Sequence, residues 1–340
     1  MSSLYHPRNH GGRSRQKTSQ QRNDSRTRKP QQSQRPASRP FGGRGSDPAE
    51  AAFYAGTPID PSPRIYLENG SAEFTMRAID LICPIGMGQR GLIVAPPGSG
   101  KTTILKHICQ AVGKAYPQVK LYCLLVDERP EEVTDFKRSV TADVRASSSD
   151  QDYEHHVRVA DDLMHEAMRE AGSGKDVMVL IDSLTRLSRV HNAEIRSSGR
   201  TISGGLDSRA IEVPRRIFGA ARKIENGGSL TILATILVET GSRMDDVIFE
   251  EFKGTGNMEV VLSRDLSTRR IYPAIDIPKS ATRKMELLMS AEELKKVEML
   301  RRALLNYKAV EAGSALIKQL NKYPTNKDFL AAVGEVISGD

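Results

Sequence analysis

The chain has 340 residues, 27% of them charged, no tryptophan and a formal net charge of +8. That length suits two ordinary domains or one large domain with a tail. No apolar run reaches the about 18 residues of a membrane span, and the amino terminus lacks the apolar core of a secretory signal. Membrane and secreted classes are therefore excluded and a cytoplasmic protein is expected.

The charge is concentrated at one end. Residues 1–46 hold eleven Arg and Lys against Asp24, so the rest of the chain nets −2. This arm contains mostly Arg, Gln, Ser, Pro and Gly. It cannot bury enough apolar surface to offset its ordering entropy, so disorder is expected. Its arginines suit a nucleic-acid tether, because cations that neutralise phosphates release counterions, and the alternative is a solubilising tail. Residues 47–63 carry Pro58, Pro61 and Pro63 and read as an extended linker.

From residue 64 to 340, apolar runs alternate with helical spacing. Residues 91–95 (GLIVA) form a short apolar run. Residues 101–114 follow with Ile104, Ile108, Ala111 and Val112 on one face. Residues 120–126 (KLYCLLV) end at Asp127. Residues 151–171 have the three-four apolar spacing of an amphipathic helix. Residues 177–181 (VMVLI) end at Asp182, residues 229–238 end near Glu239, and residues 258–262 follow. These strands are continuously apolar, as in a parallel sheet covered on both faces. The alternation gives an α/β fold with a mostly parallel central sheet flanked by helices. Helices close the chain from Ser290, where Ser290 and Glu293 have capping-box spacing. Cys83, Cys109 and Cys123 lack metal-ligand or CxxC spacing and are expected in the core.

Residues 95–102 (APPGSGKT) match a P-loop, with Ala95 in place of the first glycine. The run lies between a predicted strand and a predicted helix, which is the context the motif requires. Gly98 and Gly100 let backbone N–H groups approach phosphates, and the helix start adds positive charge. Lys101 reaches the β and γ phosphates of a nucleoside triphosphate, and the Thr102 hydroxyl suits Mg²⁺. Asp182, beyond an apolar strand, is the natural second acid for the metal. Glu128, beyond another strand, is the candidate to polarise water. In an open parallel sheet all of these converge at the carboxyl ends of the strands. Arg129, Arg264, Arg269, Arg270 and Arg283 are candidates to stabilise the charge that develops on phosphate. Spacing alone does not choose among them, nor between a cation of the same subunit and one from a neighbour.

Several segments together carry a resemblance. They are residues 84–97 (PIGMGQRGLIVAPP), 126–134 (VDERPEEVT), 181–187 (IDSLTRL), 218–222 (FGAAR) and 249–259 (FEEFKGTGNME). From about residue 64 onward the chain resembles the transcription termination factor Rho family. The resemblance implies a RecA-like P-loop ATPase, assembled as a hexameric ring. Such a ring uses ATP and Mg²⁺ to translocate along RNA and end transcription, with RNA polymerase as a further partner. It implies Lys101, Glu128 and Arg129 as catalytic residues and Arg283 as a cation given to the adjacent subunit. Thr102 and Asp182 take the metal, and Tyr272 stacks on adenine. The set that contacts nucleotide also includes Gly86, Met87, Gly88, Gln89, Arg90, Gly91, Gly98, Ser99, Gly100 and Thr103. Gly199, Arg200, Thr201, Ile202, Ser203, Gly204 and Gly205 resemble the first central RNA loop. Arg243 lies in the second, where the family often has lysine.

The sequence departs from the family pattern in two places. Gly98 stands where many members carry lysine, in a position that also belongs to the family's bicyclomycin pocket. The segment before residue 64 shows no set of alternating strands, so an OB-type barrel for RNA capture is not expected there. The basic arm is expected to attract RNA instead. Two other functions are compatible with parts of the pattern. One is a rotary-type or secretion-type ATPase that moves protein, which the Gly/Ser-rich loop and the basic arm disfavour. The other is an RNA-binding ring without catalysis, which the joint presence of Lys101, Thr102, Glu128 and Asp182 disfavours.

Overall fold

A computed structural model of the chain describes residues 47–194 and 203–338. All of these belong to one unit, Arg39–Asp340. The basic arm of residues 1–46 and the predicted loop residues Gly199, Arg200, Thr201 and Ile202 lie outside the described residues.

The strands in chain order are β1 (Pro58–Ile59), β2 (Arg64–Ile65), β3 (Ile85–Gly86), β4 (Arg90–Ala95), β5 (Lys120–Glu128), β6 (Asp143–Ser148), β7 (Asp176–Asp182), β8 (Arg222–Ile224), β9 (Ser229–Leu237), β10 (Met258–Val261) and β11 (Ala281–Thr282). The helices are α1 (Pro48–Ala55), α2 (Phe74–Ile82), α3 (Lys101–Ala115), α4 (Pro130–Ser139), α5 (Tyr153–Gly172), α6 (Leu184–Glu194), α7 (Glu212–Gly219), α8 (Arg243–Lys253), α9 (Arg264–Thr268), α10 (Ala291–Leu305), α11 (Ala309–Lys322) and α12 (Asn326–Ser338).

The main sheet runs in the order β11-β10-β4-β9-β7-β5-β6. Its six strands from β10 to β6 are parallel to their neighbours, and β11 closes the β10 edge antiparallel. β8 joins β9 antiparallel and β1 joins β8. The expected α/β architecture is therefore present.

Alternate residues of each strand feed opposite cores, as the period of two requires. Ile93, Leu121, Cys123, Leu125, Met178, Leu180 and Leu233 face α2, α3, α4 and the carboxyl-terminal helices. Leu92, Val94, Leu124, Val126, Val179, Ile181 and Ile232 face α1, α5, α6, α7 and α8. Burial on both faces explains why the strands read as unbroken apolar runs. All three cysteines are buried and free.

Residues 47–63 differ from the extended linker expected. Asp47 caps α1 by accepting from Ala49 N at 2.8 Å, and Pro48 occupies the first turn, where its missing N–H costs nothing. α1 packs against α5, with Phe53 fully buried in the core and the Tyr54 hydroxyl 3.0 Å from Met168 Sδ. Pro58, Pro61 and Pro63 come only after the helix: Pro58 starts β1, which pairs with β8.

The capping box is half formed. Ser290 accepts from Glu293 N at 3.2 Å, but the Glu293 carboxylate turns away to Arg64 at 2.6 Å. That long-range ion pair outcompetes the local reciprocal bond.

Candidate nucleotide site and central loops

Strand β4 ends at Ala95, and the loop of residues 96–100 then delivers Lys101 to the first turn of α3. Gly98 and Gly100 have φ of +77° and +96°, the left-handed region where a side chain is strained. A Cβ at either would meet nothing within 4 Å, so the requirement is conformational and leaves space over the loop. β5 brings Glu128 to the same edge and β7 brings Asp182, one strand further toward β4. A cleft of about 1010 Å³ opens there. Its walls include Gly98, Ser99, Gly100, Lys101, Thr102, Thr103, Glu128, Arg129, Arg186 and Tyr272.

Lys101 Nζ lies 2.7 Å from Asp182 Oδ1, 3.0 Å from Glu128 Oε1 and 3.1 Å from Thr102 Oγ1. The Thr102 hydroxyl donates to Asp182 Oδ2 at 2.9 Å. Burial opposes the charge on Lys101, yet Asp182 and Glu128 outweigh it and raise the lysine above its ordinary pKa. Glu128 is only 3% exposed. Burial lifts its carboxyl above the usual range; Lys101 opposes that shift, Asp182 adds to it and Arg186 opposes it. A carboxylate with a raised pKa is a better proton acceptor from water than an ordinary one.

Sequence reasoning missed two residues at this site. Arg186, in the first turn of α6, lies 3.1 Å from Glu128 Oε2 and also donates to the Asp127 carbonyl. Thr235 of β9 donates to Asp182 Oδ1 at 2.7 Å. The sequence carried only a weak signal for Thr235: it is one of three hydroxyls, with Ser229 and Thr231, on the face of β9 that also takes Leu233. Arg186 has no such signal, because its role depends on how α6 leaves β7.

The other predicted residues divide. Arg129 is 70% exposed at the mouth of the cleft and reaches Glu132 at 3.3 Å. Tyr272 is half exposed on the cleft wall beside Pro273 and Ala274. Gly86, Met87, Gly88, Gln89, Arg90 and Gly91 are not brought to this cleft. They precede or begin β4, at the end opposite the loop, roughly 20 Å away at about 3.3 Å per residue. Their polar groups serve the sheet there. Gly88 N donates to Thr231 at 2.8 Å, and Gln89 donates to Asn257 Oδ1 at 2.6 Å. Arg283 is also remote from its own chain's cleft. It follows β11, and its N–H bonds Asn257 O at 2.9 Å. Burial, then Arg222, then Arg283 lower the pKa of Arg90, so three arginines gather at this amino end of the strands.

The described ends of the two segments that resemble the family's RNA loops meet. Ser203, Gly204 and Gly205 form one tight turn. A Cβ on Gly204 would lie 2.9 Å from the Arg243 carbonyl oxygen, so the first loop rests on the start of α8. Asp245, fully buried in the first turn of α8, takes two bonds from Arg189 at 2.8 and 2.5 Å and one from Thr240 at 2.6 Å. Arg186 and Arg189 lie one turn apart on α6. This single helix therefore touches Glu128 at the cleft and Asp245 at the second loop.

The chain matches the ATP synthase alpha/beta family, nucleotide-binding domain, over residues 75–282. It is 51% identical to transcription termination factor Rho of Haemophilus influenzae, over 80% of this chain and 66% of that protein. With the protein of the same name from Bacillus subtilis it shares 50% identity, over 84% of this chain and 67% of the relative. With that of Rhodopirellula baltica the identity is 48%, over 82% of this chain and 55% of the relative. The chain thus spans between about half and two thirds of the length of these relatives. In three dimensions it resembles a prototypical ATPase from the type III secretion system of pathogenic bacteria. The TM-score is 0.69 at 23% identity, covering 82% of this chain and 86% of the other, a likeness of fold alone. The chain belongs to the transcription termination factor Rho family, and its core is a nucleotide-binding domain of the ATP synthase alpha/beta type.

Proposed function

We propose that this chain is an RNA-dependent ATPase that translocates along single-stranded RNA as a homohexameric ring and acts in transcription termination in the cytoplasm. The observation that carries the ATPase is the convergence of Lys101, Thr102, Glu128 and Asp182 within 3.1 Å contacts at the end of the phosphate loop. Lys101 sits on a flexible four-carbon stem and can exchange these carboxylates for phosphate oxygens. Glu128 takes the proton of the attacking water. Burial raises its pKa, and Lys101 and then Arg186 oppose that rise.

The donor set fits a small hard cation. Thr102 Oγ1 and Asp182 Oδ2, 2.9 Å apart at the cleft edge, are oxygen ligands of the type Mg²⁺ prefers. When bound, Mg²⁺ neutralises charge on the phosphates. Tyr272 offers an exposed ring for adenine. Arg129 lies exposed at the cleft mouth. Arg283 is grouped with Arg90 and Arg222 away from the cleft of its own chain, so a role at the nucleotide would require a neighbouring copy.

Support for RNA comes from the family, from Arg243 at the head of α8 and from the arginine-rich arm. A Gly/Ser-rich turn against a cation can hold a sugar-phosphate backbone with little sequence preference. RNA polymerase as a partner rests on family membership alone.

The test is a pair of substitutions. Lys101→Ala should weaken ATP binding and cut turnover at least about 100-fold. Glu128→Gln should cut turnover similarly while ATP still binds. Retained turnover in both would remove the assignment.

A further inference from the structure

Asp182 is held by three donors, and they are not equivalent. Lys101 and Thr102 come from the phosphate loop and the first turn of α3, and under the function proposed above both turn to nucleotide and cation. Thr235 comes from β9, where parallel pairing of Ile181 with Ala234 sets it beside Asp182. Both side chains are fully buried. The Thr235 hydroxyl lies 2.7 Å from Asp182 Oδ1, and 3.4 Å from the Ile181 carbonyl of the same strand. β9 is flanked by β4 and β7, so Thr235 cannot follow a ligand into the cleft.

We infer that Thr235 is a positioning residue for the divalent cation: its hydroxyl fixes Oδ1 of Asp182, which leaves Oδ2 directed at the cation. The inference rests on the nucleotide site proposed above. Once Lys101 engages phosphate, Thr235 is the donor still fixed on Oδ1. Without it that oxygen is buried and unpartnered, and the carboxylate is free to rotate away from the ligand geometry. A valine fills the same volume and carries no donor, whereas a serine keeps the donor.

The experiment titrates Mn²⁺, followed by electron paramagnetic resonance, into the full chain with ADP present. It compares wild type, Thr235→Val, Thr235→Ser and Asp182→Asn. ADP binding in EDTA and thermal melting are measured beside it. Thr235→Val should weaken Mn²⁺ binding roughly tenfold to a hundredfold. Its ADP affinity without cation should stay at the wild-type value, and Thr235→Ser should bind Mn²⁺ as wild type does. Wild-type Mn²⁺ affinity in Thr235→Val overturns the inference. Equal weakening in the serine and valine variants overturns it too, because the hydroxyl is then not the cause. If Asp182→Asn also binds Mn²⁺·ADP normally, the metal assignment itself falls, and the inference falls with it.

Discussion

Replacing Phe53 by alanine tests whether the segment before residue 64 is part of the folded body. Phe53 is fully buried, sits edge-to-face on Tyr54 with centroids 5.3 Å apart, and carries the Arg222 guanidinium 4.9 Å from its ring centre. Removing a fully buried phenylalanine costs about 3–5 kcal/mol. The cation over its face adds about 0.5–1 kcal/mol, because Arg222 is half buried. The expected loss is about 4 kcal/mol, against about 1 kcal/mol for Phe53→Leu, which keeps most of the volume. The chain has no tryptophan, so urea unfolding is followed by far-ultraviolet circular dichroism at one fixed protein concentration, since assembly adds to apparent stability. A Phe53→Ala midpoint within the error of wild type would refute the packing argument and restore an independent linker.

Other outcomes follow from charge and burial. Arg186→Met removes a cation that lowers the Glu128 pKa, so the acid limb of the ATPase pH profile should move to higher pH; an unmoved limb would separate Arg186 from Glu128. His191 has its pKa depressed to about 4 by burial and then by Arg216, so it stays neutral in the fold while the unfolded chain protonates near 6.5. Its contribution is complete above pH 6.5 and declines by about 3 kcal/mol as pH falls toward 4. Asp80 acts in the opposite sense, because burial raises its carboxyl to about 7. Its contribution is complete below about pH 4 and declines as pH rises toward 7. Melting temperature against pH should therefore flatten on the acid side in His191→Leu, and an unchanged slope would contradict the assignment. Deleting residues 2–46 removes ten net positive charges and should lower RNA affinity and flatten its salt dependence. Unchanged values in both would end the tether idea.

Periodicity placed the central strands because parallel strands buried on both faces leave unbroken apolar runs, as in β5 and β7. It did not show β6, whose Asp143–Ser148 run is polar because the strand is at the sheet edge and half exposed. It also missed α1, where the three prolines beyond Ala55 masked a capped helix before them. At the site, Lys101, Thr102, Glu128 and Asp182 were legible because each stands at a strand end or in the phosphate loop. Thr235 and Arg186 depend on which strand lies beside β7 and on how α6 leaves it, and spacing along one chain does not encode that. The lead-in residues from Gly86 to Gly91 lie away from this cleft for a related reason. Adjacency in sequence to the loop hides the length of β4, which carries them to the far end of the sheet.

The central claim is that hydrolysis in the cleft is coupled to RNA at the loops that meet at Gly204 and Arg243. The measurement that tests it most directly is the steady-state ATPase rate with and without single-stranded RNA, in the full chain and in the chain lacking residues 2–46. The account predicts a low rate alone and a strong increase with RNA, with more RNA needed when the arm is absent. A rate that RNA does not change, in either chain, would contradict it.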